Sequence, residues 1–156
     1  MEVHRLHGHF GPFRDLFERG RRVAVGDEQV GRRVHDPPPG RPGAGDVARS
    51  RAWYQRVLGF EVAIEFVEDG EVRGVALRRE GCSQLALRHD PARAQALSGF
   101  DALALLVPSR AEVETWKAAL DEAGEPHGGV VTGHQGGKVL VGLHDPDGIE
   151  IRLYAN

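Results

Sequence analysis

Twice along this chain an amphipathic helical stripe is followed by three short strand-like runs, and that internal repeat restricts the fold more than any other feature. In the first copy Asp46 suits an N-cap, Val47, Trp53, Tyr54, Val57 and Leu58 share one stripe, and Gly59 closes it, which predicts a helix over about 47–58. The runs Phe60 to Val67, Glu71 to Arg79 and Ser83 to His89 follow, with Asp69-Gly70 and Glu80-Gly81 as turns, and Asp90 to Gly99 reads as a connector. The second copy has its own leading strand, Ala102 to Val107, before a helix over about 109–123 with Ser109 or Pro108 at its start, Gly124 at its end, and Val113, Trp116, Leu120 and Ala123 on its buried stripe. Gly129 to Thr132, Lys138 to Leu143 and Ile149 to Tyr154 complete it, separated by the glycine-rich 133–137 and by Asp145-Pro146-Asp147-Gly148. The pattern predicts an α+β fold of two βαβββ units.

The last run carries the clearest two-residue period. Ile149, Ile151 and Leu153 fall on one face, and Glu150, Arg152 and Tyr154 on the other, which a sheet curled around a cavity would present to a ligand.

Residues 1–45 read as an irregular N-terminal extension, and 46–156 as the folded domain, with unit one at 46–90 and unit two at 100–156. The extension holds five of the nine prolines and four of the eight histidines, and its run from His35 to Gly43 cannot be helix or inner strand. Residues 31–45 read as a linker. Phe10, Phe13, Leu16 and Phe17 fall at helical spacing before it, and Arg21 to Val25 could form a short strand. Fold logic asks for a leading strand just before residue 47, so the first strand of unit one is expected to be missing or degenerate. Either Arg21 to Val25 fills the gap or an open edge is left, and an open edge invites pairing with a second chain. A misread start would also explain the abrupt change in character.

A net charge of −3 and a pI near 6.2 supply no basic field of the kind nucleic-acid binding needs. Cys82 is the only cysteine, so no disulfide forms within the chain. No apolar run has the length of a membrane helix or the context of a signal peptide, so a cytoplasmic protein is expected.

The segment Arg49-Ser50-Arg51-Ala52-Trp53-Tyr54-Gln55-Arg56-Val57-Leu58-Gly59-Phe60, the terminal Asp145-Pro146-Asp147-Gly148 strand and the paired units together resemble the vicinal oxygen chelate superfamily over about 46–155. That superfamily includes glyoxalase I, fosfomycin-resistance enzymes, extradiol dioxygenases and bleomycin-binding proteins. The resemblance implies an open mixed β-barrel, a homodimer, and a cavity that commonly holds a divalent metal on the first and last strands of the units. At the corresponding places this chain has Ala102, Ala86, Arg152 and the Pro/Gly run. Methyl groups and a guanidinium offer no donors to a hard cation, so neither a metal nor another cofactor is expected.

The function expected is metal-free binding of a small polar or anionic molecule in the cavity, by Arg152, Arg88, Gln84, Glu150, Tyr154 and Ala102, with Ala86 and Ala104 making room. Catalytic residues are left unassigned. The alternative is a metal-dependent lyase, isomerase or dioxygenase of the glyoxalase type. The plain reading of Arg152 is an arginine tied to Glu150 with no ligand. His89, His134 and His144 sit at strand ends or loops where histidines are solvated, and His4, His7 and His9 belong to the tail. Trp53, Tyr54 and Trp116 read as packing, Cys82 has no neighbouring base, and Gly128-Gly129 and Gly136-Gly137 lack the Lys-Ser/Thr and helix of a phosphate loop.

Overall fold

A computed structural model describes residues 43–156. The helical spacing at Phe10 to Phe17, the strand at Arg21 to Val25 and the tail histidines lie outside the described residues. The described chain builds two four-stranded mixed sheets with three α-helices, in a βαβββ order that occurs twice. β1 (Gly43–Ala44), α1 (Val47–Leu58), β2 (Glu61–Glu68), β3 (Glu71–Arg78) and β4 (Leu85–His89) form unit one. After α2 (Pro91–Leu97), unit two comprises β5 (Leu103–Leu106), α3 (Arg110–Ala123), β6 (Gly129–Thr132), β7 (Lys138–His144) and β8 (Glu150–Ala155). The strand orders are β1-β4-β3-β2 and β5-β8-β7-β6, with the leading strand of each unit parallel to its last. No closed barrel is formed among the described residues, and no helix there is long and apolar enough to cross a membrane.

Helix α1 keeps the predicted bounds because both ends are chemically marked. Asp46 accepts from the Arg49 N–H at 3.0 Å, and Gly59 takes the left-handed conformation at the other end. Ser109 caps α3 in the same way, accepting from the Glu112 N–H. Two expectations are corrected. The linker read over 31–45 ends in a strand, because Gly43 and Ala44 pair in parallel with Arg88 and His89. The leading strand of unit one is therefore present, two residues long, at the end of the Pro/Gly run where alternation cannot be read. The connector after Asp90 contains α2, with Asp90 as N-cap and Pro91 in the first turn, where proline's missing N–H costs nothing. Only Ala94 of α2 is buried, so it left no apolar stripe to find.

One core joins both units. α1 contributes Trp53, Tyr54, Val57 and Leu58; α3 contributes Val113, Trp116 and Leu120; the sheets contribute Val75, Leu77, Leu85, Leu87, Leu140, Leu143, Ile151 and Leu153. Fully burying each such aliphatic side chain stabilises by about 1.5–3 kcal/mol before chain entropy is subtracted. Ile151 and Leu153 face this core while Glu150, Arg152 and Tyr154 remain partly exposed, so the alternation read in the tail holds and fixes which face of β8 looks outward.

Candidate functional site

The outward face of the second sheet is held in place by a polar corner before β8. Asp145 closes a turn by accepting from the Gly148 N–H at 2.9 Å, while its side chain accepts from the N–H groups of Asp147 (2.9 Å) and Ile149 (3.0 Å). Its other oxygen accepts from the Tyr54 hydroxyl of α1 at 3.1 Å, so the turn of one unit is fastened to the helix of the other. Asp147 extends the link, accepting from the Gly45 N–H, from Ser50 Oγ at 2.9 Å and from Arg49. Gly148 has φ of +79°, and a side chain there would press on Ser98 Oγ. Burial pushes the Asp145 carboxyl above its ordinary range, and the hydrogen bonds from Ile149, Asp147 and Tyr54 hold that rise in check. Burial, then the negative charge of Asp145, pushes the Tyr54 phenol well above its usual value, so it stays protonated and donates. Tyr54 is therefore more than the packing residue read from its spacing.

On the outward face, register assembles two rows. Leu106 pairs with Tyr154, Tyr154 with Val139 and Val139 with Val131, giving an apolar row across all four strands; Leu106 is 55% and Val131 45% exposed. Ala104 pairs with Arg152 in the next row. Together with the loop after β6 these strands enclose an open groove of about 320 Å³, lined by Ala104, His134, Val139, Arg152, Tyr154 and the backbone around Gly133, Gly137 and Asn156.

Arg152 is held from two sides. Its Nε donates to Glu150 at 3.0 Å and its Nη1 is ion-paired with Asp101 at 2.8 Å. Glu150 is itself fixed by the Gly142 N–H at 3.1 Å, which reaches it because β7 breaks register with β8 between Leu140 and Leu143. Gly142 sits at φ +69°, and a Cβ there would collide with the Gly128 backbone, so only glycine suits the bulge. Backbone donation from Gly142 and then the Arg152 guanidinium pull the Glu150 carboxyl below its ordinary value, and Glu150 in turn raises Arg152. Glu150 and Arg152 are thereby both held in their charged forms at neutral pH.

Of the candidate residues, the structure brings Arg152, Glu150, Tyr154 and Ala104 together. Ala102 is exposed, just ahead of β5 and outside the groove lining. Gln84 and Arg88 belong to the other sheet: Gln84 is exposed ahead of β4, and Arg88 is ion-paired with Glu68 at 3.1 Å. Ala86 is buried, in a row with Ile64 and Ala76 on the outward face of the first sheet. Sequence reasoning missed Asp101, whose signal was its place just ahead of a strand parallel to β8; His134, read as a loop histidine, is exposed and lines the groove from a 3-10 turn. His89 and His144 are exposed at strand ends.

The divalent ion implied by the resemblance does not fit these residues. The expected positions carry Ala102, Ala86 and Arg152, and the leading strand of unit one offers only Gly43 and Ala44. Among the described residues no three His, Cys, Asp or Glu side chains converge, and the Glu150 and Asp101 carboxylates both bind Arg152.

A family model described as the Glyoxalase/Bleomycin resistance protein/Dioxygenase superfamily matches residues 43–153. Among proteins of curated function no sequence match is found. Solved structures of similar fold include a lactoylglutathione lyase from Agrobacterium tumefaciens, at 19% identity and a TM-score of 0.55, covering 76% of this chain and 94% of the other. A genomically encoded fosfomycin resistance protein from Listeria monocytogenes gives 13% identity and a TM-score of 0.59 over 80% and 95%. A bleomycin-binding protein complexed with bleomycin gives 22% and 0.55 over 78% and 99%. At these identities the likeness is one of fold.

Proposed function

Because the chain belongs to the Glyoxalase/Bleomycin resistance protein/Dioxygenase superfamily, we propose that it binds a small polar molecule, without a metal, in the groove on the outward face of its second sheet. The observation that carries this reading is Arg152, fixed by Glu150 and Asp101 at the wall of a groove of about 320 Å³ whose other walls are Val139, Ala104 and the Tyr154 ring. A side chain pinned on two sides presents its remaining N–H groups at a set position, which lowers the entropy cost of holding a ligand. Tyr154 adds an apolar ring and a hydroxyl. The bleomycin-binding protein of similar fold, solved with its small molecule, supports a binding role without fixing the ligand.

The exposed Ile64 and Val67 of the first sheet support a homodimer that packs on that sheet. Light scattering on the purified chain checks it. A cytoplasmic location remains the working expectation.

The second reading, a metal-dependent lyase, isomerase or dioxygenase, draws support from the lyase of similar fold. Saturation-transfer NMR against a panel of small polar molecules separates the two. The binding reading expects ligands without added metal and their loss on Arg152→Ala. Ligands seen only after Mn²⁺, Ni²⁺ or Zn²⁺ is added would favour the enzyme.

A further inference from the structure

We propose that the groove selects a neutral molecule, one with a carbonyl-type acceptor on an apolar body, over carboxylates and phosphates. This rests on the reading of the groove as a ligand site and names the class of ligand it takes. An arginine facing a cavity usually suggests an anion, and the sequence alone carried that suggestion. The neighbours of Arg152 reverse it. One positive charge stands against two carboxylates, Glu150 at 3.0 Å and Asp101 at 2.8 Å, so the cluster has a net charge of −1 (+1 − 2).

An incoming carboxylate would have to displace a carboxylate from the guanidinium or sit close to both of them. Each route costs Coulomb energy that the groove does not return. A neutral acceptor meets no such cost. It takes a hydrogen bond from the guanidinium while the ion pairs stay intact. Beside His134 and Asn156, the lining offers an apolar strip to the body of such a molecule: Ala104, Val139 and Tyr154, in a row that continues to Leu106 and Val131. A cation meets carboxylates that are already paired: Glu150 Oε1 and Asp101 Oδ2 each bind Arg152, and Glu150 Oε1 also accepts from the Gly142 N–H.

One carbon skeleton carrying three charges tests the assignment: methyl cinnamate, cinnamate and cinnamylamine, titrated into the full chain at pH 7.5 and followed by ligand-observed NMR. The ester is expected to bind about tenfold tighter than the carboxylate, on the scale of one partly screened charge contact. Asp101→Asn is expected to narrow that ratio, and Asp101→Asn with Glu150→Gln to reverse it by releasing the guanidinium. Asp101 is exposed, so the single variant decides the matter if the double variant fails to fold. Tighter binding of cinnamate or cinnamylamine by the unaltered protein, or a ratio unmoved by Asp101→Asn, overturns the class while leaving the groove a ligand site. Binding of none of the three overturns both readings.

Discussion

The two units share one topology and differ in the charge they bury before the last strand and in what they show on the outward face. In unit two the corner is anionic: Asp145 meets the Tyr54 hydroxyl of α1 and two backbone N–H groups. In unit one the equivalent turn, closed by the Cys82 N–H donating to the Arg79 carbonyl, carries a guanidinium instead. Arg79 donates to the Leu58 carbonyl at 3.1 Å and lies over the rings of Phe60 and Trp116, the latter on α3. Each corner thus reaches the other unit's helix with opposite sign, and burial lowers the Arg79 guanidinium as it raises the Asp145 carboxyl. On the outward faces, sheet one has the row Ile64–Ala76–Ala86, while sheet two has the Arg152 network and the groove. A duplicated fold can keep its cross-unit fastening with either charge and concentrate its polar chemistry in one half.

The cationic corner should be the more costly to break through its ring. Trp116→Ala removes a buried indole and one face of the Arg79 seat, and should cost about 4 kcal/mol in urea unfolding. Asp145→Ala leaves the Tyr54 hydroxyl and two N–H groups without an acceptor, and should cost about 3 kcal/mol. If either variant unfolds with its own unit alone while the other unit stays native, the corners do not join the two halves.

A pH series sharpens the same contrast. A carboxyl raised on folding binds its proton more readily in the native state, so the contribution of Asp145 falls as pH rises from the unfolded carboxyl value through its raised native one. The stability of the protein minus that of Asp145→Asn should therefore decline with rising pH over the carboxylate range. Glu150 is lowered, so its contribution is present above the unfolded value and lost as pH falls through the native one. The corresponding difference for Glu150→Gln should rise with pH. Two slopes of the same sign would contradict the assignment. The smallest effect belongs to the first sheet: Arg88→Ala should leave ligand affinity within about twofold, since Arg88 pairs with Glu68 away from the groove and an exposed ion pair is worth little.

Much of this was legible in sequence, for physical reasons that can be named. Capping residues at Asp46, Gly59, Ser109 and Gly124 marked both long helices, and strict alternation at Ile149 to Leu153 fixed the inner face of β8. β1 was hidden because two residues carry no period, and α2 because a single buried alanine makes no stripe. Arg152 and Tyr154 were readable as one face, but partners brought in across strands were not. Asp101 reaches Arg152 through a parallel pairing, and Gly142 reaches Glu150 through a bulge, and neither contact leaves a local pattern. Arg88 and Gln84 were grouped with Arg152 by parity alone, which says nothing of which sheet a strand joins.

Amide chemical-shift mapping with methyl cinnamate on the isotope-labelled full chain tests the central claim most directly. Perturbations should cluster at Ala104, 133–139 and 152–156, around the guanidinium that Glu150 and Asp101 hold. A cluster centred on Ala76, Ala86 and Arg88 of the first sheet, with the Arg152 region unmoved, would contradict it.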